Sequence, residues 1–321
     1  MVISIETVLS GDRLALARLI TEVENDTEGA HQILNELFPY GGKAHIIGIT
    51  GSPGTGKSSL VNKLALVMRR GEDQGLLKKI GIVAIDPSSP FSGGAFMGDR
   101  VRMRDLAGKQ GIFIRSMASR GRQGGLSRST KDALIVLAAM AYDIIIIETV
   151  GAGQSEVDVS ELAHSVGIVT IPGTGDGIQA IKAGILETGD VYIVNKCERP
   201  EAEATVFELS MMLNYRSSDS TKWKPVIIKT EALKGHGVRE LADTFLSHYE
   251  FLKQQGLLAQ RQKEMDLAYF RTLIRDLTLE KIMAFIEEPG DYHDASRKID
   301  TGEVDPLSAA EELIGLIRLR V

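Results

Sequence analysis

Apolar runs recur along the middle of the chain at Ala44–Ile49, Ile80–Ile85, Ile112–Ile114, Ile144–Ile147, Gly167–Ile171, Val191–Val194 and Val226–Ile228. Several are almost continuously apolar, the pattern of strands covered on both faces. Between them lie stretches with helical spacing, such as Ser59–Met68 and Ala133–Tyr142. Strand-then-helix alternation over residues 43–242 predicts an α/β domain with a mostly parallel, doubly covered sheet. Two amphipathic helices, Arg13–Glu24 and Ala30–Leu37, form an N-terminal helical segment over residues 1–42, ended by Pro39-Tyr40-Gly41-Gly42. From Val238 the pattern is nearly all helix to Glu288, broken at Gly256, and residues 243–321 are read as a C-terminal helical extension. Pro289-Gly290-Asp291 ends this arm, and a last helix runs over Ser308–Arg318 behind Pro306. Leu267, Phe270, Ile274 and Leu277 make a narrow apolar seam that packs either on the parent domain or on a second subunit.

The first apolar run is followed by Gly51-Ser52-Pro53-Gly54-Thr55-Gly56-Lys57-Ser58, with Ser59 opening the helical stretch. Strand, G-x-x-x-x-G-K-S, helix is the context in which a glycine-rich turn becomes a phosphate cradle, the P-loop of nucleoside triphosphatases. The glycines let successive N–H groups face one anion, and the helix N-terminus adds partial positive charge. In this pattern Lys57 reaches the β- and γ-phosphates and the Ser58 hydroxyl holds Mg²⁺.

Three more strand ends carry chemistry. Asp86 closes the run at 80–85 and lies on the carboxyl edge of a parallel sheet, where phosphates sit; a role with Mg²⁺ or attacking water outweighs an Asp-Pro turn starter. Four isoleucines deliver Glu148 to the same edge, with Gly151 three residues on to offer its N–H to the γ-phosphate. Asn195-Lys196-Cys197-Glu198 resembles the Asn-Lys-x-Asp base-recognition element of GTPases, with Cys197 as a small filler. A carboxylate there accepts from the two N–H donors on guanine's edge and repels the acceptor N1 of adenine. Glu198 is one methylene longer than Asp, so it must fold back or shift the base. Thr230, Glu231 and Ala232, ending the next run, suit the supporting loop over the base.

Composition adds exclusions. The 321 residues are 43% hydrophobic and 25% charged with net charge −6, ordinary for a globular protein and no invitation to nucleic acid or an anionic membrane. The arginines at 115, 120, 122 and 128 stand without interleaved aromatics and read as a solvated or partner-facing loop. One cysteine excludes an intramolecular disulfide and fits a reducing compartment. With no basic-then-apolar start and no run long enough to span a bilayer, the expectation is cytoplasmic. The glycine-rich stretches Ser88–Gly98 and Met117–Gly125 are expected to be irregular, ligand-sensing loops.

At this point the chain resembles the MeaB (ArgK-type) GTPases, chaperones associated with methylmalonyl-CoA mutase. The resemblance rests on Gly11–Ile20, Gly48–Ser58, Asp86-Pro-Ser-Ser89, Gly93-Gly94 through Gly98-Asp99-Arg100 to Met103, Glu148-Thr-Val-Gly-Ala-Gly-Gln154-Ser-Glu156, Gly173-Thr-Gly-Asp176 through Gln179 to Gly184, and Asp305-Pro306 through Glu312. It implies a GTPase that binds GTP/GDP and Mg²⁺, a homodimer joined through the helical extension, and a partner that is a cobalamin-dependent acyl-CoA mutase. It implies an acidic metal shell of Asp86, Asp99 and Glu148, a first switch at 92–104, a second at 149–156, and a further switch at 174–184. In the last, Asp176, Gln179 and Lys182 would meet the mutase and couple its binding to hydrolysis. Glu198 departs from the family's Asp. Three alternatives stand beside this reading. A nickel-enzyme metallochaperone needs Cys or His clusters that one cysteine and six scattered histidines do not supply. A small-molecule kinase would need an acceptor pocket and lid, and a transport ATPase would need an adenine site and a membrane partner.

Overall fold

The computed structural model describes residues 4–70, 77–86, 106, 108–118, 128–149, 159–173, 188–214, 223–286 and 290–320. Among them all seven predicted runs form strands: β1 His45–Thr50, β2 Ile80–Asp86, β3 Ile112–Ala118, β4 Ile144–Glu148, β5 Ser165–Thr170, β6 Val191–Asn195 and β7 Val226–Thr230. They make one sheet in the order β3-β2-β4-β1-β5-β6-β7, every pairing parallel. β3 runs beyond the predicted Ile114, because the ladder with β2 continues to Asp86↔Ala118. Of the expected irregular stretches, Met117 and Ala118 are therefore strand; the rest, like 88–98, lies outside the described residues.

The continuous isoleucine run of β4 serves both faces: Ile145 and Ile147 enter one core, Ile144 and Ile146 the other. The first core is roofed by α1 Ile5–Leu9, α2 Arg13–Glu24 and α3 Glu28–Leu37, which supply Val8, Leu16, Leu19, Ile20, Val23, Leu34 and Leu37. Asp12 and Thr27 cap the two longer helices, accepting from Ala15 N (2.7 Å) and Ala30 N (3.3 Å). In sequence order follow α4 Lys57–Arg70, α5 Arg128–Ala139, α6 Ala202–Asn214 and α7 Val238–Gln254. Residues of α5 and α6 join the first core, and residues of α4 and α7 fill the second. An ion pair joins Arg115 on β3 to Glu24 on α2, and the same guanidinium donates to Thr21.

Helix α8 covers Leu257–Ile286 after the predicted break at Gly256. The chain divides into two compact units, Met1–Met265 and Asp266–Val321. Within the second unit, α9 Asp291–Asp300 and α10 Pro306–Arg320 pair with each other. The sequence reading left α9 out, since Pro289-Gly290 reads as a terminator; Gly290 instead precedes the helix as its N-cap residue. Asp305 caps α10 by accepting from Leu307 N and Ser308 N and from the Ser308 hydroxyl at 2.6 Å, and those bonds hold its carboxyl below the usual range. Leu267, Phe270, Ile274 and Leu277 are all exposed in this unit.

A polar chain is buried at the amino edge of the sheet. His45 at the start of β1 lies 2.7 Å through Nε2 from Ser165 Oγ, and Ser165 Oγ lies 2.8 Å from His248 Nδ1 on α7. His248 Nε2 faces Asp190 at 3.6 Å. The nearby carboxylate favours a hydrogen on His248 Nε2, and in that arrangement Ser165 donates to His248 Nδ1 and His45 Nε2–H donates to Ser165. His45 Nδ1 is then a bare acceptor, and it is the buried ring nitrogen without a hydrogen-bond partner. The ring stacks on Tyr249 at 4.2 Å.

Burial, then the positive fields of His164, His248, Lys78 and Lys253, holds His45 well below 6.5; burial also lowers His248, against the opposing pull of Asp190. Both histidines are neutral in the fold with pKa values below the unfolded one. As pH falls through 6.5 the unfolded chain takes up protons first, so stability is complete above that pH and declines below it. Each histidine contributes at most about 1.4 kcal/mol per pH unit. Urea unfolding should give a free energy lower at pH 5.5 than at pH 7.5 by about 1–2 kcal/mol, and His45→Asn should shrink that difference.

Candidate functional site

The phosphate-loop sequence sits between the carboxyl end of β1 and the start of α4. Gly51 has φ +137°, and a Cβ there would lie 2.1 Å from Val169 O on the neighbouring strand. Only glycine lets the chain turn out of the sheet at that point. Thr55 is buried and its hydroxyl donates to Ser52 O (2.9 Å), closing the loop on itself. Lys57 is 6% exposed, with Nζ donating to Gly51 O at 2.6 Å and Ser52 O at 2.9 Å. The buried ammonium is thereby satisfied by the loop's own carbonyls at the place where an anion's oxygens would compete for it. Ser52 and Ser59 are half-buried, and Pro53 and Gly54 are exposed at the loop's tip.

Ser58, on the first turn of α4, donates to Glu148 Oε1 at 2.5 Å; both are buried. Glu148 arrives there because β4 runs beside β1 with Ile49 opposite Glu148. Thr149 next to it is pinned twice, its N–H to Ile49 O (3.1 Å) and its hydroxyl to Thr50 Oγ1 (2.9 Å). This hydroxyl pair was not singled out from sequence; its only signal was a Thr at the carboxyl end of each of two strands. A hydroxyl and a carboxylate beside a phosphate loop are hard oxygen donors of the kind Mg²⁺ takes, and that ion needs only one or two protein ligands beside phosphate and water. No group of three or more His, Cys, Asp or Glu gathers as a metal site among the described residues. Asp86 is the last residue of β2, paired in register with Ala118. Asp99, Gly151, Asp176, Gln179 and Lys182 lie outside the described residues, as do the switch stretches 92–104 and 174–184 and all of 149–156 after Thr149.

The base-recognition candidates converge from two strand ends. Asn195, the last residue of β6 and 2% exposed, donates through Nδ2 to Thr55 O (2.8 Å). Its Oδ1 accepts from Thr230 Oγ1 and from Ala232 N, both at 3.1 Å. Gly56 passes so close that a Cβ would lie 2.6 Å from Asn195 Nδ2. Lys196, at φ +58°, donates to Gly54 O at 2.9 Å. Cys197 N donates to Thr230 O (3.1 Å), and Glu198 stands exposed on the turn that follows. Burial, then the carboxylates of Glu198 and Glu231, pushes the Cys197 thiol up, so it stays a protonated, space-filling group. Glu231 is turned toward its own loop, 2.7 Å from Lys234 and 3.6 Å from His236.

The family model described as methylmalonyl Co-A mutase-associated GTPase MeaB matches residues 16–287. The chain belongs to the MeaB family. A Pyrococcus horikoshii protein provisionally named a GTPase is 44% identical over 309 residues, covering 96% of this chain and 95% of that protein. The Caenorhabditis elegans mitochondrial methylmalonic aciduria type A homolog is 30% identical, covering 96% of this chain and 81% of its own. The solved structure of an LAO/AO transport system kinase superposes with a TM-score of 0.71 at 24% identity, over 98% of this chain and 96% of that one, and shares the fold. As a MeaB-family member the chain has the phosphate-loop GTPase fold expected from its strand pattern, with helices on both sides of the sheet and a helical C-terminus. Among the described residues no helix is long and apolar enough to cross a membrane.

Asn195 is the residue on which the two loops depend. Asn195→Ala removes three hydrogen bonds and strands buried partners on both loops, at an expected cost of about 2–4 kcal/mol in unfolding free energy. Asn195→Asp keeps the acceptor to Thr230 and Ala232 but faces Thr55 O with an anion, and should weaken guanine-nucleotide binding more than it lowers the melting temperature. Isothermal titration and thermal unfolding on the same samples separate the two effects.

Proposed function

We propose that this chain is a Mg²⁺-dependent GTPase that serves an adenosylcobalamin-dependent acyl-CoA mutase of the methylmalonyl-CoA type, gating cofactor loading, protection and reactivation. Membership of a family described as mutase-associated carries this reading, and the disease-linked name of the Caenorhabditis elegans relative supports it. In this proposal Lys57 and the N–H groups of Ser52 and of Gly54 through Ser59 bind the phosphates, with Pro53 shaping the loop between them, and Gly151 meets the γ-phosphate. Ser58, Glu148, Asp86 and Asp99 form the metal shell, and Asp86 also orients the attacking water. Asn195, Lys196, Glu198, Thr230, Glu231 and Ala232 form the guanine site. Asp176, Gln179 and Lys182 meet the mutase. Residues 243–321 pair two copies, with the exposed seam of Leu267, Phe270, Ile274 and Leu277 as the natural contact, and the protein works in the cytoplasm.

The chain's own part in the reaction is positioning and charge. Arriving phosphate oxygens exchange places with Gly51 O and Ser52 O as acceptors for Lys57, whose ammonium then offsets charge gathering on the transferred group. The N-terminus of α4, which starts at Lys57, adds its partial positive charge on the same side. Ser58 and Glu148, with Asp86 and Asp99, would hold Mg²⁺, which would supply positive charge to offset the negative charge of the phosphate oxygens. Loss of the γ-phosphate changes what the switch segments can hold, so the two nucleotide states offer a partner different surfaces. Turnover by the isolated chain is expected to be slow.

Binding of GTP, GDP and ATP in the presence of Mg²⁺, on wild type and Glu198→Asp, tests the nucleotide half. Guanine nucleotides should bind at least about a hundredfold more tightly than ATP in both proteins. Comparable ATP binding by the wild type would move the reading to an ATPase. Single-turnover GTP hydrolysis with and without methylmalonyl-CoA mutase tests the other half: an increase of about tenfold or more is expected, and equal rates would end the gating proposal while leaving the GTPase intact.

A further inference from the structure

Helix α6 carries an apolar strip on the side facing away from the core. Its inner face is Ala202, Thr205 and Leu209, with Val206 and Leu213 packed partly against the core. Outside, Phe207 is 64% exposed, Met211 44% and Met212 37%. At the helical turn angle Glu203 falls about 40° to one side of Phe207 and Glu208 about 60° beyond Met211, so glutamates flank Phe207 and Met211 on both sides, with Met212 about 40° beyond Glu208. Residues 201–214 hold three glutamates and no lysine, arginine or histidine. The last turn, where Met211 and Met212 sit, has no basic side chain to offset the partial negative charge of a helix C-terminus. Lys229 on β7 engages Glu203 at 2.6 Å, while Glu208 stands exposed beside the methionines.

We propose that this outer face of α6 is a docking surface for a basic amphipathic helix of a partner protein. The partner's apolar residues would lie over Phe207 and Met211, and its lysines or arginines against the glutamates that flank them. Methionine side chains adapt to the shape of an incoming helix at little rotameric cost, and a Met-and-Phe strip edged by carboxylates is complementary to that class of ligand. Nucleic acid and anionic lipid are disfavoured by the same carboxylates. The proposal does not depend on the mutase reading.

The probe is a fluorescent amphipathic Leu/Lys peptide of about five helical turns, titrated with the full chain by anisotropy. It should bind, more weakly as salt rises, while a matching Leu/Glu peptide should not. Phe207→Ala/Met211→Ala and Glu208→Lys should each weaken binding at least about tenfold. Glu22→Lys, an equal change in net charge at an exposed position of α2, should leave it unchanged. Equal losses for Glu22→Lys and Glu208→Lys would mean bulk attraction to an acidic protein and overturn the proposal, as would face variants that bind like wild type. Sedimentation of the same variants supplies the last outcome: self-association abolished by Phe207→Ala/Met211→Ala would assign the face to a second copy, against the proposal.

Discussion

One buried carboxamide holds the site together. Asn195 ends β6 at the carboxyl edge of the sheet, and its donor and acceptor ends point in opposite directions along that edge. Toward β1 it satisfies Thr55 O of the phosphate loop; toward β7 it accepts from the Thr230 hydroxyl and the Ala232 amide. Its planar amide offers donors and an acceptor from one short side chain, and Gly56 passes so close that a Cβ there would lie 2.6 Å from Asn195 Nδ2. The phosphate-loop sequence and the loop that follows β7 are thus parts of one hydrogen-bonded unit, and a change at either strand end is felt at the other.

The sheet's register does the equivalent work on the opposite side of β1. Glu148 meets Ser58 because β4 pairs with β1 so that Ile49 faces Glu148. A slip of one residue would send that carboxylate to the other face of the sheet and exchange every isoleucine of β4 between the two cores. Those isoleucines therefore have a role beyond burial. Two apolar faces with different partners, the N-terminal helices on one and α4 and α7 on the other, make the register costly to change, and the register places the acid.

Features governed by local pattern were legible in the sequence. Strand positions followed from uninterrupted apolar runs, α2 from its amphipathic spacing, and the break at Gly256 from its glycine. The phosphate loop was legible because its chemistry is contiguous. What escaped was decided by distant partners. β3 is longer than its apolar run because β2 offers a ladder as far as Asp86, which no property of Ser116 or Met117 announces. α9 begins directly after a proline and a glycine, where helices usually stop. His45, Ser165, His248 and Asp190 looked like scattered polar residues; only parallel pairing of β1 with β5 and the packing of α7 gather them. The pair of Thr50 and Thr149 escaped for the same reason.

Glu198 is where local pattern and tertiary constraint meet in the proposed guanine site. Its turn has little freedom: Lys196 sits at positive φ with its ammonium on Gly54 O, Cys197 N is held by Thr230 O, and Arg199 N by Lys196 O. A backbone fixed at three points cannot retreat to make room for an added methylene. The extra length must be absorbed by the side chain, and Glu198 is exposed, so its rotamers are free to do so. The cost is then the entropy of fixing one more torsion, under about 1 kcal/mol, rather than distortion of the turn. That is small beside the repulsion a carboxylate presents to adenine's acceptor edge, so the proposed guanine site is expected to keep its discrimination between the two bases even if affinity falls.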